Sequence, residues 1–222
     1  SVGPIAMGLI VLGLAGIGAT IAGGFMYGVK HGLGAYHVGA MSCLAMALGC
    51  TFWVMAFHLT QAGWSVSIRR QFENVMSLLP VAAIMVLPVL VIEMWQGGHL
   101  FAWMSSKAGG VAAGDVLLAE KSAYLSPLFF MIRAAVYVLL WGFLSMKLFR
   151  FSTEQDRTGD KWLSNKARFT SAWAMPLFAL SIAFAAFDWL MSMDYRFFST
   201  MWGVYYFAGA VFSSVPLVVL IL

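Results

Sequence analysis

Long apolar runs, separated by short polar stretches, are the main pattern of this chain. Six of the runs are long enough to cross a membrane as helices, because a crossing requires about 20 residues. They are predicted near residues 5–27, 36–60, 76–95, 127–149, 172–192 and 200–222. The short alternating segments typical of outer-membrane strands are missing from the sequence. The pattern therefore predicts an all-α, polytopic transmembrane helix bundle that forms a single membrane domain over residues 1–222.

Composition restricts the class of protein further. Hydrophobic residues make up 62% of the chain and charged residues 10%, whereas a soluble domain carries about 25% charged residues. This balance excludes soluble enzymes, nucleic-acid binders and secreted disulfide scaffolds. Cys43 and Cys50 lie about 10 Å apart along one predicted helix, too far for a disulfide, so we interpret them as structural thiols.

Basic residues in the predicted loops indicate the orientation. Eight lie in the loops after the second and fourth runs: Arg69, Arg70, Lys147, Arg150, Arg157, Lys161, Lys166 and Arg168. Four lie in the loops of the opposite side: Lys30, Lys107, Lys121 and Arg196. Because cytoplasmic loops carry the excess of Lys and Arg, both ends of the chain are predicted to face the cytoplasm and the 97–126 loop the outside. The stretch 152–160 is interpreted as a charged cytoplasmic connector with a turn at Thr158 and Gly159.

The two ends of the sequence have an unusual composition for a membrane protein. The last apolar run stops at Leu222 without a polar flank, and Ser1 stands where an intact chain has methionine. A native span normally emerges into an interfacial Trp, Tyr, Lys or Arg. We therefore expect both ends to be cut and the natural protein to continue past Leu222.

Polar residues inside the apolar runs are the candidate functional residues, because an ionisable group in a membrane is expensive. Three charged residues are predicted at similar depth, toward the outer ends of the third, fourth and fifth runs: Glu93, Arg133 and Asp188. Three further polar residues are predicted near this level: His37, Tyr124 and Tyr137. The sequence thus predicts an outward-facing cluster of polar groups.

Two interpretations of this cluster stay open. A site that takes protons from a quinol requires a base, a fixed charge and an apolar slot. Asp188 or Glu93 would be the base and Arg133 the charge partner, with Trp189, Tyr124 and Phe130 as walls. Alternatively, Arg133 and Asp188 form an ion pair that only fastens two helices. Both interpretations predict contact between these two side chains.

Histidines are the other candidate ligands. His58 is predicted near the cytoplasmic end of the second run, either as a proton relay, because histidine titrates near neutral pH, or bonded to a neighbouring carbonyl. A haem site with two histidine ligands stays an open interpretation only at the outer side of the membrane. His37 and His99 are an example of such a pair. No CxxC or CxxCH motif is present, so the signatures of covalent haem, iron–sulfur and zinc sites are missing.

Several sequence stretches carry a resemblance to a known family. They are Lys121-Ser-Ala-Tyr-Leu, Phe129-Phe-Met-Ile-Arg with Trp141, Gln155-Asp-Arg-Thr-Gly-Asp, Phe184-Ala-Ala-Phe-Asp-Trp-Leu-Met-Ser and Ser199-Thr-Met-Trp-Gly. In this order and spacing they resemble a membrane subunit of bacterial alternative complex III, a quinol:cytochrome c oxidoreductase. That subunit belongs with the NrfD and polysulfide-reductase type of membrane anchors. The similarity extends from about Gln61 to Gly209, and its most specific parts are Asp188-Trp-x-Met-Ser and Asp156-Arg-Thr-Gly.

The chain departs from the family pattern at two places. Asp194-Tyr-Arg-Phe stands where the family has Pro-His-Trp, and Gln61-Ala-Gly stands where it has Gly-Gly before Trp64. Any role that depends on the outer-loop histidine of the family is therefore in doubt for this chain.

The resemblance implies a role in a respiratory complex. It implies a bacterial inner-membrane subunit of about ten crossings, of which this chain is a fragment. Such a subunit binds no redox cofactor itself, while its partners are a related NrfD-like subunit, a cytochrome c subunit with haem c and an iron–sulfur subunit. The complex oxidises membrane quinol, and this subunit contributes a quinone-facing surface, a proton path or assembly. The polar residues of this chain that the resemblance matches to positions of the family are Asp188, Arg133, Tyr124 and His58.

Two other classes of function stay open. A secondary transporter or ion-channel subunit would favour midplane polar residues on broken helices and an inverted repeat. The charged residues instead cluster toward one end, and no repeat is evident. A purely structural membrane anchor would carry no chemistry and is distinguished by whether Asp188 and Arg133 matter for turnover when assembly is intact.

Overall fold

A computed structural model describes residues 3–105 and 115–222 of the chain. It is 84% helical, and the described residues form no strand. Its α-helices, in chain order, are α1 Pro4–Tyr27, α2 Val29–Leu59, α3 Val66–Met76, α4 Leu79–Ile84, α5 Leu87–Gln96, α6 Val116–Lys121, α7 Pro127–Thr158, α8 Trp162–Trp189 and α9 Trp202–Ile221. This confirms the predicted all-α helical bundle.

Six helical segments are long and apolar enough to cross a membrane. They are Ala6–Tyr27, Val29–Leu59, Gly63–Gln96, Pro127–Thr158, Trp162–Met193 and Trp202–Ile221. Each of the six predicted runs falls on one of these segments, because a chain in hydrocarbon must satisfy its backbone groups internally and does so as helix. The length and composition of its helices are those of a multi-pass membrane protein.

Helices α2, α7 and α8 are longer than the apolar runs that predict them. The charged stretch after residue 149, predicted as a connector, continues α7 to Thr158. Only the predicted turn is present, since Gly159 adopts φ 69° and donates its N–H to the Gln155 carbonyl as a left-handed cap. Hydropathy marks the part of a helix inside the membrane, whereas backbone hydrogen bonding continues into the polar region until a residue such as glycine ends it.

The third crossing is interrupted. Pro80 and Pro88 each occupy the first turn of a new helix, so the predicted run 76–95 is divided between α4 and α5. Proline has no N–H to donate and therefore starts helices well but interrupts them in the middle. The residues at the two breaks keep near-helical dihedrals, with φ −82° and ψ −7° at Leu78 and φ −77° and ψ −30° at Val86.

Helix α2 is the centre of the bundle. It packs against α1, α3, α8 and α9, and its side chains at Leu44, Leu48 and Val54 are fully buried. The approach of α2 to α9 is closest at Gly49, which lies directly against the backbone of Ala210. A residue without a side chain allows two helix backbones to approach this closely.

The connections between crossings lie at two ends of the bundle. We call the end with Gly28, residues 97–105, residues 115–126 and the 190–201 segment the Gly97 end. The opposite end, with the 60–62 and 159–161 connections, is the Gly159 end. The predicted orientation places the Gly159 end in the cytoplasm. Lys107, which entered that prediction, lies outside the described residues.

Candidate functional site

An ion pair between Arg133 on α7 and Asp188 on α8 lies at the Gly97 end, as the sequence predicts. Arg133 donates from Nε to Oδ2 and from Nη2 to Oδ1 of Asp188, both at 2.8 Å. Asp188 is 0% exposed and Arg133 is 9% exposed. The planar guanidinium fork matches the two carboxylate oxygens, so the pair is both strong and directional.

The remaining bonding capacity of the pair is used by two tyrosines. The Tyr137 hydroxyl donates to Asp188 Oδ2 at 2.8 Å, and Arg133 Nη1 donates to the Tyr124 carbonyl at 3.0 Å. The Arg133 guanidinium carbon also lies 3.9 Å from the centroid of the Tyr124 ring. We call these four residues, Tyr124, Arg133, Tyr137 and Asp188, the Arg133 cluster. The cluster fastens α7 to α8 and to the segment that precedes α7.

Aromatic side chains enclose the carboxylate. The ring centroids of Tyr137 and Trp189 are 5.7 Å apart, as are those of Trp141 and Trp189, and both tryptophans are fully buried. Trp141 Nε1 donates to Ser181 Oγ at 2.8 Å and adds a second polar link between α7 and α8. A carboxylate with three hydrogen bonds behind these rings accepts a proton from a ligand only if the cluster opens. This geometry favours the fastening role of the pair over its role as a base.

Glu93 and His37 lie at the same end but bond elsewhere. The two carboxylate oxygens of Glu93 accept the N–H groups of Leu100 and Phe101 at 3.0 and 3.2 Å, so Glu93 holds the chain that follows α5. His37 Nε2 donates to the Trp189 carbonyl at 2.7 Å and ties α2 to the end of α8. The polar residues predicted at one depth therefore form three separate hydrogen-bonded sites: the Arg133 cluster, Glu93 and His37. Glu93 and His37 form hydrogen bonds with backbone groups.

His58 lies at the Gly159 end, where it borders a cavity of about 270 Å³ together with Arg69, Ser164 and Arg168. The side chain is 8% exposed, and its Nε2 atom has no hydrogen-bond partner among the described residues. The role of His58 as a proton relay stays a prediction. Arg69 follows His58 closely in the sequence, whereas only the fold adds Arg168 of α8 to the same cavity.

A buried carboxylate that sequence reasoning missed is Glu73 on α3, which is 1% exposed. Arg69 Nε lies 3.2 Å from Oε1 and Arg70 Nη1 lies 3.0 Å from Oε2, while the Ser152 hydroxyl of α7 donates to Oε2 at 2.6 Å. The i, i+3 and i+4 spacing of these charges was the available signal. It was missed because the predicted run begins at Met76, which leaves Glu73 in a loop.

Replacing Glu73 with Gln is expected to lower the free energy of unfolding by about 1.5–3 kcal/mol, because Arg69 and Arg70 then face a neutral amide instead of a buried carboxylate. Thermal unfolding of the detergent-solubilised protein measures the change. Glu154→Gln is the matched control, since Glu154 pairs with Arg157 on the exposed surface at 2.7 Å and such pairs contribute about 0–1 kcal/mol. Equal effects of the two variants would contradict a special role for Glu73.

The residues that depart from the family pattern have a defined role at the Gly97 end. The Tyr195 hydroxyl donates to Asp115 Oδ2 at 2.7 Å, Arg196 Nη2 lies 3.0 Å from the same oxygen, and Lys121 Nζ donates to the Tyr195 carbonyl at 2.6 Å. The hydrogen bond from Tyr195, followed by that from Arg196, lowers the pKa of Asp115. This departure therefore attaches α6 to the connection between α8 and α9.

The fold and these sites define a multi-pass α-helical membrane protein whose buried charges connect its helices. A comparison of the sequence with protein-family models gives no match, and a comparison with curated proteins gives none either. Among the residues 3–105 and 115–222, no group of three or more His, Cys, Asp or Glu side chains is placed to hold a metal ion.

Proposed function

We propose that this chain is an integral membrane subunit of a quinol-oxidising respiratory complex of the alternative complex III type in the bacterial inner membrane. In this proposal the subunit carries no redox cofactor, while haem c and iron–sulfur centres lie in partner subunits. Its contribution is the assembly of the membrane part of the complex around the Arg133 cluster. The related NrfD-like subunit is the better candidate for the quinol pocket.

The observation that carries the proposal is that four of the five stretches of the family resemblance meet at the Gly97 end, while Gln155-Asp-Arg-Thr-Gly-Asp lies at the Gly159 end. Tyr124, Arg133 and Asp188 come from three of these stretches and are joined in the Arg133 cluster. Ser192 donates its hydroxyl to the Asp188 carbonyl, and the Ser199 N–H lies 3.4 Å from the sulfur of Met191. Residues far apart in sequence thus build one hydrogen-bonded unit, which supports a shared structural purpose for the motifs.

The burial and hydrogen bonding of Asp188 bear on the roles that the resemblance implies. Oδ2 accepts two hydrogen bonds and Oδ1 accepts one, so Oδ1 keeps one acceptor position that the described residues do not fill, but the carboxylate is 0% exposed. A quinol hydroxyl therefore reaches Asp188 only if the packing around Arg133 and Tyr137 opens. Displacing Arg133 would leave a buried charge without its partner, at a cost of several kcal/mol. The geometry therefore supports assembly more than direct proton transfer from quinol.

Purification of the native complex through a tag on this chain tests the proposal. We expect c-type haem in the reduced-minus-oxidised spectrum and inhibitor-sensitive quinol:cytochrome c activity in the same sample. The control is the same purification from cells that carry the untagged chain. A colourless, inactive preparation of the intact chain would contradict the proposal.

Transport is the second candidate function, favoured by the interrupted third crossing, because transporters build substrate sites at broken helices. At these breaks, however, the flanking side chains of Leu79 and Val86 are apolar and fully buried, and the backbone stays near-helical. Ion flux through liposomes that contain the intact chain alone distinguishes the two functions, since the assembly role predicts none.

A further inference from the structure

Lys147 places a positive charge among aromatic rings on the outer surface of α7. Its Nζ lies 5.1 Å from the ring centroid of Phe143, 5.7 Å from that of Trp173 and 5.9 Å from that of Phe151. Lys147 belongs to none of the ion pairs formed by the described residues. A cation in such apolar surroundings is costly unless an anion accompanies it.

The depth of Lys147 matches the boundary of the hydrocarbon core. Helix α7 begins at Pro127, and the core of a bilayer is about 30 Å thick, which corresponds to about 20 residues of helix. A core that begins at Pro127 therefore ends near Lys147, and the rest of α7 extends into the headgroup region. Lipid phosphates lie at this level.

Two grooves meet at Lys147. The larger, of about 1170 Å³, follows α7 from Phe143 to Arg150 and Arg157. The smaller, of about 470 Å³, lies between α7 and α8 and contains Lys166 and Phe169. In the larger groove Phe143 and Met146 lie toward the middle of α7, and Arg150 and Arg157 lie toward the Gly159 end. In the smaller groove Lys166 lies between two apolar residues of α8, Trp162 toward the Gly159 end and Phe169 toward the middle of the helix. Glu154 also borders the larger groove, but Arg157 neutralises it at 2.7 Å.

We propose that this surface binds an anionic phospholipid, with its phosphate between Lys147 and Lys166 and its acyl chains in the apolar parts of the two grooves. Charge complementarity supports this occupant, because basic pockets between membrane helices bind anionic headgroups. Along the larger groove the order of Phe143 and Met146, then Lys147, Arg150 and Arg157, follows the order of acyl chains and headgroup in a lipid. The site is independent of the proposed respiratory function, since it depends only on the surface of α7 and α8.

Lipid binding to the purified protein tests the proposal. The protein in mild detergent is titrated with phosphatidylglycerol or with phosphatidylcholine of identical acyl chains, and the retained lipid is counted by native mass spectrometry. Phosphatidylglycerol is expected to bind more tightly. Lys147→Gln is expected to weaken its affinity about fivefold, and Lys147→Gln with Lys166→Gln about 25-fold, because each basic residue contributes separately to the attraction.

Matched variants separate this site from general surface charge. Lys161→Gln removes a charge at the same end but outside both grooves, and Lys147→Arg keeps the charge, so both should retain the wild-type affinity. Equal binding of the two lipids by the wild type, or an equal loss in Lys161→Gln and Lys147→Gln, overturns the proposal. Wild-type affinity in the double variant also overturns it. If Lys147→Gln does not fold, Lys166→Gln takes its place, because Lys166 is exposed. Lys166→Gln is then expected to lose phosphatidylglycerol affinity and Lys161→Gln to keep it, and an equal loss in both overturns the proposal.

Discussion

Asp188→Asn is expected to reduce the yield of folded protein in the membrane and to lower its free energy of unfolding by about 3–5 kcal/mol. The carboxylate that accepts both guanidinium bonds of Arg133 loses its charge, while Arg133 stays buried between α7 and α8. Membrane yield and thermal unfolding of the solubilised complex measure the effect.

A second variant distinguishes structure from chemistry. Asp188→Asn combined with Arg133→Gln is expected to recover part of the yield, because removing both charges leaves no uncompensated one. Tyr137→Phe is the matched control for loss of one hydrogen bond in the cluster and is expected to cost about 0.5–1.5 kcal/mol. If Asp188→Asn assembles with wild-type stability and loses quinol oxidation, Asp188 is a base and the assembly role of the cluster is wrong.

Gly49→Ala is expected to lower the free energy of unfolding by about 1–3 kcal/mol, and Gly49→Leu by more, because overpacking forces backbones apart. A Cβ atom at position 49 would overlap the carbonyl oxygen of Ala210 and lie 2.6 Å from its carbonyl carbon. These are backbone atoms of α9, so the clash is relieved only if α2 and α9 move apart. Thermal unfolding of the purified variants measures the loss.

Gly39 supplies the control within the same helix. A Cβ at Gly39 would meet nothing within 4 Å. Gly39→Ala is therefore expected to be neutral or to stabilise α2 by about 0.5–1 kcal/mol, because alanine loses less backbone entropy than glycine in a helix. If Gly49→Ala unfolds at the same temperature as Gly39→Ala, the close contact between α2 and α9 does not limit stability.

The Arg133–Asp188 pair could be predicted because two constraints act on the sequence at once. A charge inside a membrane requires a partner, and helix geometry converts residue number into depth. Arg133 and Asp188 satisfied both constraints. Glu93 satisfied the depth constraint equally well, yet its oxygens accept backbone N–H groups from residues seven and eight positions later.

Glu73 shows the opposite failure. The predicted third run begins at Met76 and left Glu73 in a loop, whereas in the structure Glu73 packs against Ser152 of α7 and is buried. Depth says nothing about the direction in which a side chain points around its helix. That direction depends on which helices are neighbours.

The sequence by itself determined the number of crossings, their approximate positions and the need to neutralise the buried charges. It did so because a membrane admits few structures: each crossing must be a helix of sufficient length, and each charge within it must be compensated. Only the tertiary structure decided that the Arg133 cluster is enclosed by aromatic rings, that Gly49 contacts α9 and that Lys147 lies among aromatic rings of α7 and α8. These features depend on the rotation and contact of helices that are distant in sequence, which apolar periodicity alone leaves undetermined.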